Sequence, residues 1–424
     1  MKKLILYIIT ISILLTGCFQ SGGDTPIGVS PTSDTNSGAS SGVNSDMPDI
    51  AEPTQIGISF VGDFLIHDTI YIDAKIDDTY DFTKQYVDIA PYFLRSDFST
   101  GNLETTFAGS ARGFSGYPAF NCPEQLADTF RDTLKLGLVT TANNHITDKG
   151  FTGLSSTIDF LNEKKLNHTG AYKTQQDSEK PFVVDIKGIK TGFISMTELL
   201  NVTLAEDKAF AVDMLENDKI KEKAQKCKDA KAEIIIAVLH WGREYSITPS
   251  NSQKDMARWI LENTEVDAII GHHSHVAGPI EAIEYEQDGE VKTGIVAYSL
   301  GNFIGDQRTV STTKVNGQTE STEIYTNSGL MVTLNVIRDA DDGKAYINSV
   351  KYIPTYIDKN TEENGKSFRV LNVNKAIYDY ENGLDPLLTQ SKYTVLKKLK
   401  TEYSKFVLGS PMIKEDEDLV LDNH

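Results

Sequence analysis

The chain has 424 residues, of which 39% are hydrophobic and 24% charged, and it carries a formal net charge of −19. That length can bury a substantial core. So acidic a balance excludes nucleic acid as a partner, because a polyanion is held by lysines and arginines that release its counterions.

The first residues read as an export signal. Lys2 and Lys3 precede "LILYIITISILL", an apolar run too short to span a bilayer. It ends in "LTGC", the pattern of a bacterial lipoprotein cleavage box, so residues 1–17 are expected to be removed and Cys18 lipidated. Two acyl chains on Cys18 would suffice for stable attachment, which places the protein at the outer face of the bacterial cell membrane. Residues 18–54, including "SPTSDTNSGASSGVNSDMPD", have almost nothing to bury and read as a flexible tether. Cys122 and Cys227 are the remaining cysteines. In an exported protein they form one disulfide or stay as two buried thiols, and both readings stand.

A folded domain is expected over 55–357. In "QIGISFVGDFLI" Ile56, Ile58 and Phe60 alternate as in a buried strand. "LGLVTTA" reads as a strand and "GFTGLSSTIDFLNEKK" as a helix, with Leu154, Ile158 and Leu161 at helical spacing. "FVVDIKGIKTGFISM" reads as two strands joined at a Lys-Gly turn. "AEIIIAVL" is a strand, "SQKDMARWILEN" a helix and "VDAII" a strand, and "IEAIEYEQDGEVKTGIVAYSL" is a hairpin around Asp288-Gly289. Strands alternating with helices, with hairpins added, point to a layered α/β fold. Residues 358–424 are expected to form an extension with one amphipathic helix, "SKYTVLKKLKTEYSKFV", and a loose acidic end, "KEDEDLVLDNH".

Polar residues gather where the strands end. Asp63, His67, Asn102, Glu104, Asn144, His145, His240, His272, His273, His275 and Asn302 all fall at expected carboxyl ends of strands, the rim where open α/β sheets collect ligands. Six of the chain's eight histidines lie there; His168 and His424 do not. Singly these residues have plain structural readings: Asp63 after Gly62 as a turn cap, Glu104 as a surface carboxylate, His240 beside Trp241 as a satisfied core histidine. Together they form a ligand set, because imidazole suits manganese, iron or zinc while carboxylate and amide oxygens favour harder ions. Such a mixture suits two divalent cations about 3.5–4 Å apart. In "GHHSH", His273 and His275 would point the same way on an extended segment, and Gly271 would allow a sharp turn.

"GDFLIHD", "GNLETT", "TANNHITDKG", "LHWGREY", "GHHSHVAGPI" and "YSLGNFIGD" occur in the order seen in the CapA family of bacterial poly-γ-glutamate capsule synthesis proteins, which this chain resembles from about Gly57 to Asp306. That family is similar to the calcineurin-like metallophosphoesterases. The resemblance implies a four-layer α/β/β/α sandwich with a dinuclear metal site. By motif, Asp63 and His275 would hold the first metal, Asn144, His240 and His273 the second, and Glu104 would replace the usual bridging carboxylate. His145 would be the general acid or phosphate-contacting imidazole. The usual Asp-x-His opening is absent, since position 65 is Leu. His67 supplies the missing imidazole or the first metal is weakly held, and Asn102 shares or takes the role of Glu104.

The implied function is a membrane-anchored metal-dependent hydrolase of phosphoesterase type, acting in capsule or exopolymer synthesis on a phosphoester or anionic polymer. Membrane-bound polymer synthesis proteins are its expected partners. The alternatives are a non-catalytic polymer-binding accessory lipoprotein and a domain whose rim residues only cap turns.

Overall fold

The computed structural model describes residues 54–307, 323–362, 365–406 and 410–419, together with the backbone of 312–315 and 318–321. The expected signal peptide, Cys18, the tether up to residue 53 and His424 lie outside the described residues.

Strand β1 (Thr54–Phe64) is the axis of the first sheet. Its alternating Ile56, Ile58 and Phe60 point into the space between two sheets, while Val61 and Phe64 enter the core on the outer face. β2 (Phe98–Leu103), β3 (Leu138–Thr140) and β4 (His168–Thr169) follow in parallel on one side. Parallel pairing needs crossovers. The two longest helices in these crossovers are α1 (Leu126–Asp132) and α2 (Gly150–Glu163), whose Phe130 and Leu161 pack on the outer face.

The second sheet opens with the hairpin of β5 (Phe182–Ile186) and β6 (Ile189–Thr197). At its turn Lys187 and Gly188 both take positive φ, 48° and 93°, the geometry of a tight two-residue loop. β7 (Ile234–His240) and β8 (Ala268–His272) add in parallel. The hairpin of β9 (Ile280–Gln287) and β10 (Glu290–Ala297) then completes the sheet, turning at Asp288-Gly289. Helices α3 (Asn217–Asp229) and α4 (Asn251–Asn263) cover the outer face with Ile220, Ala224, Ala257 and Ile260. A capping box between Ser250 and Gln253 starts α4.

The chain then returns to the first sheet. β11 (Asn302–Ile304) lies parallel to the end of β1, and β12 (Ser328–Arg338) runs antiparallel along its length. β13 (Ala345–Glu362) and β14 (Gly365–Asn372) extend the sheet, β15 (Ile413–Glu415) pairs with β13, and α5 (Val373–Glu381) and α6 (Gln390–Phe406) complete the described chain. Helices, sheet, sheet and helices make the four layers of an α/β/β/α sandwich, with the largest apolar cluster between the sheets.

β13 crosses the boundary expected at 357/358 without a break, and β14 pairs along it, so the residues beyond belong to the sheet. The apolar pattern fades there because part of that layer is held by charge. Buried Asp358 takes Arg369 at 2.9 Å and Lys392 at 2.6 Å. β12 is not among the elements expected from the sequence. The helix expected in the last segment is α6, while the acidic end begins in β15. Cys122 and Cys227 are free thiols buried in different cores, on the outer faces of the first and second sheets. Among the described residues no helix is long and apolar enough to cross a membrane.

Phe368 on β14 lies past the expected boundary and is 1% exposed within the outer core of the first sheet. Phe368→Ala is expected to cost about 3–5 kcal/mol, read as a lower urea midpoint in equilibrium unfolding.

Candidate metal centre

The rim residues converge at the seam where the carboxyl ends of both sheets meet. From the first sheet come Asp63 near the end of β1, Asn102 on β2, Glu104 just after it, and Asn144 and His145 in the loop after β3. From the second come His240 ending β7, His272 ending β8, and His273 and His275 in the turn that follows. Glycines let these elements meet. A Cβ at Gly62 would stand 2.0 Å from the Gly301 carbonyl oxygen, and one at Gly271 would stand 1.9 Å from that of Tyr298. Gly271 therefore serves close packing inside β8 and not the sharp turn expected of it. The turn falls on the histidines, with φ of 90° at His273 and 58° at His275 where an extended segment was expected. Such left-handed geometry costs of order 1–3 kcal/mol per residue and clusters at functional sites.

Two groups of donor atoms result, each with its atoms within 4.8 Å of one another: Glu104 with His240 and His273, and Asp63 with Glu104 and His275. Glu104 belongs to both. His240 Nε2 is 3.4 Å from Glu104 Oε1, and His275 Nδ1 is 3.6 Å from Asp63 Oδ2 and 3.8 Å from Glu104 Oε2. His273 Nδ1 lies 3.1 Å and Asn144 Oδ1 2.8 Å from the same His240 Nε2. Asp63 and Glu104 are 0% exposed, and Asp63 Oδ2 and both Glu104 oxygens have no hydrogen-bond partner. A buried carboxylate without donors is costly, and divalent cations are what this donor chemistry fits. Ligands that each reach a common ion at about 2.0–2.2 Å stand roughly 3–3.5 Å apart, close to the gaps seen here.

The electrostatics agree with that fit. Burial, reinforced by the Asp63 carboxylate, pushes Glu104 well above its ordinary range. Burial also acts to raise Asp63, but hydrogen bonding and charge from His272, with help from His275 and His240, bring it well below. Burial and then the neighbouring His273 press His240 well below its usual value, and burial brings His273 down to about 4. Two neutral imidazoles thus offer lone pairs at neutral pH.

The remaining expected residues surround these groups. His272 Nδ1 donates to Asp63 Oδ1 at 2.8 Å, and Asn102 Nδ2 donates to the same oxygen at 2.8 Å. Asn302 Oδ1 lies 3.1 Å from the same His275 Nδ1; Asn302 opens β11 and does not end the preceding strand. His67 belongs to neither donor group, because its Nδ1 faces the Asp306 amide and the Leu65 carbonyl, each at 3.1 Å. His145 also stands outside both groups, its Nδ1 donating to buried Asp148 at 2.7 Å.

Sequence reasoning passed over Asp148, Asn143 and Asn201. Asn143 ties Asn102 Oδ1 at 3.1 Å to the Leu103 carbonyl at 2.8 Å, and Asn201 Nδ2 lies 3.2 Å from His145 Nδ1. The i,i+3 spacing of His145 and Asp148 in "HITD" is a signal that could have been read; Asn201, on a distant loop, left none.

Fold and centre together define a class: an α/β/β/α protein with a carboxylate shared between two histidine-containing donor groups. Residues 57–307 match the family model described as bacterial capsule synthesis protein PGA_cap, and the chain belongs to that family. It is 26% identical over 263 residues to the capsule biosynthesis protein CapA of Bacillus anthracis, covering 60% of this chain and 61% of that one. It is 27% identical over 256 residues to the PGA biosynthesis protein CapA of Bacillus subtilis strain 168, covering 59% and 64%. The chain thus spans under two thirds of either relative's length. Similar solved structures include the NAD nucleotidase NadN of Haemophilus influenzae (13% identity, TM-score 0.44, covering 86% of this chain and 65% of that one). The calcineurin-like phosphoesterase YfkN of Bacillus subtilis is another (14% identity, TM-score 0.40, covering 82% and 100%).

A cation held here would draw on the Glu104 carboxylate, whose protonated form burial favours. Uptake is therefore expected to release a proton and to tighten as pH rises, measured by manganese titration calorimetry in two buffers of different ionisation enthalpy. Glu104→Ala is expected to lower bound manganese from about two per chain to below one, read by elemental analysis.

Proposed function

We propose that this chain is a metal-dependent hydrolase of phosphoesterase type, working in capsule or exopolymer synthesis at the outer face of a bacterial membrane. The observation that carries the reading is Glu104, buried between two donor groups with neither oxygen hydrogen-bonded. Asp63 and His275 would hold one cation, His240, His273 and Asn144 the other, and Glu104 would face both. A bound pair of divalent cations supplies Lewis acidity to a phosphoryl or acyl oxygen.

The chain's own groups supply the rest. Asn102 and His272 both donate to Asp63 Oδ1, which fixes the carboxylate's orientation. His145 borders the cavity beside the centre, and Asp148 holds its Nδ1, so with the ring in its imidazolium form Nε2 would be the nitrogen that gives a proton to the leaving group and is left neutral. The buried surroundings of Asp63, Glu104 and His240, all 0–1% exposed, keep bulk water from competing for these donors.

The capsule role is supported by family membership and by the names of the two Bacillus relatives. Membrane attachment rests on the export signal and on Cys18 in "LTGC", with membrane-bound polymer synthesis proteins as the partners such a position offers.

Manganese-loaded protein is expected to hydrolyse members of a phosphomonoester panel. His145→Ala should lower kcat by about 10²–10⁴-fold with metal content unchanged. A panel left intact by protein carrying its full metal complement would overturn the hydrolase reading. Cells fed labelled palmitate are expected to label this protein, and Cys18→Ala should abolish that label.

A further inference from the structure

A cavity of about 270 Å³ opens beside the centre, bordered by His145 and His275. Its walls are aromatic. Phe120 sets its ring edge-on to both His67 and His145, with centroids at 5.3 Å and 4.7 Å, and Tyr245 lies 6.0 Å from the His275 ring. Tyr117 stands at the mouth, 77% exposed, a large ring with little to pack against. The charged groups on the lining are carboxylates, Asp68, Glu244 and Asp306; among the described residues no lysine or arginine lines the cavity. Asp306 is met by Lys359 at 2.8 Å, Lys366 at 3.0 Å and Thr69 at 2.7 Å.

His67 adds a directed polar atom. Its Nδ1 is taken up by the Asp306 amide and the Leu65 carbonyl, each at 3.1 Å, which leaves Nε2 for the cavity. That nitrogen has no hydrogen-bond partner among the described residues, although the residue is only 7% exposed and the ring borders the cavity. A neutral imidazole, aromatic walls and carboxylates do not suit a polyanion, which needs cations along its path. They do suit a flat ring carrying a polar atom.

We propose that this cavity is a subsite for a flat, uncharged aromatic moiety borne by the substrate's reacting group. The substrate class follows: phosphoesters of aromatic or heteroaromatic alcohols, or esters that carry such a ring close to the phosphorus, in preference to carboxylate-bearing ones. The inference rests on the metal-centre reading, since the cations would hold the reacting group at the cavity's inner end.

The test uses the full chain loaded with manganese and three hydrolysis-resistant probes: phenylphosphonate, cyclohexylphosphonate and 4-phosphonobenzoate. Calorimetry is expected to show phenylphosphonate bound at least fivefold more tightly than either other probe. Tyr117→Ala, at an exposed position where folding is not at stake, should shrink that advantage, and Tyr245→Ala should remove it. Equal binding of the three, tighter binding of the benzoate, no binding at all, or a preference untouched by both tyrosine variants would overturn the subsite. A phenyl preference that persists in protein unable to hydrolyse any phosphoester would leave the subsite standing and overturn the hydrolase reading instead.

Discussion

Two carboxylates, Asp63 and Glu104, sit at 0% exposure among imidazoles, and three of their four oxygens lack a hydrogen bond. Desolvated negative charge of this kind destabilises a fold unless something compensates it. The rest of the seam is arranged around that requirement. Gly62 and Gly271 allow main chains to approach more closely than any side chain would permit. His273 and His275 adopt left-handed backbone to bring their rings to the same place. Strain, close approach and buried charge all oppose folding, and they coincide at one spot. A bound cation would offset all three together, and the donor set found here is of the kind that holds one.

Much of this was legible in the sequence because a strand's carboxyl end is a simple address. Apolar runs such as "AEIIIAVL" and "VDAII" mark the strands, and the residues that follow them, His240 and His272 onward, must then lie on the rim. The two hairpins were equally plain, since Lys-Gly and Asp-Gly demand positive φ. Where the pattern fails, the physics differs. β14 is held partly by the buried Asp358–Arg369 pair, and hydropathy alone cannot see a layer stabilised by charge. The role of Gly271 was misjudged because a glycine required for close packing looks the same in sequence as one required for a turn. His67 looked like a ligand by residue type and position, yet the Asp306 amide, distant in sequence, holds its ring elsewhere. Contacts of that range leave no local trace.

The cavity also bears on what the family name conveys. A poly-γ-glutamate chain presents a carboxylate at every residue, and the lining here offers aromatic rings and further carboxylates. A role in making such a polymer does not require the polymer itself to enter the centre. Chemistry on a small ring-bearing ester, performed close to polymer synthesis, is consistent with both the family and the lining.

Because the donors come from both sheets, the centre is also a staple. Asp63 and Glu104 belong to the part of the chain made first and His240, His273 and His275 to a later part, so no ion can be gripped until the two sheets have docked. Ion capture and layer assembly then draw on one free energy. Withholding such ions would then loosen the join between the layers, and the protein's lifetime would track the supply of cations.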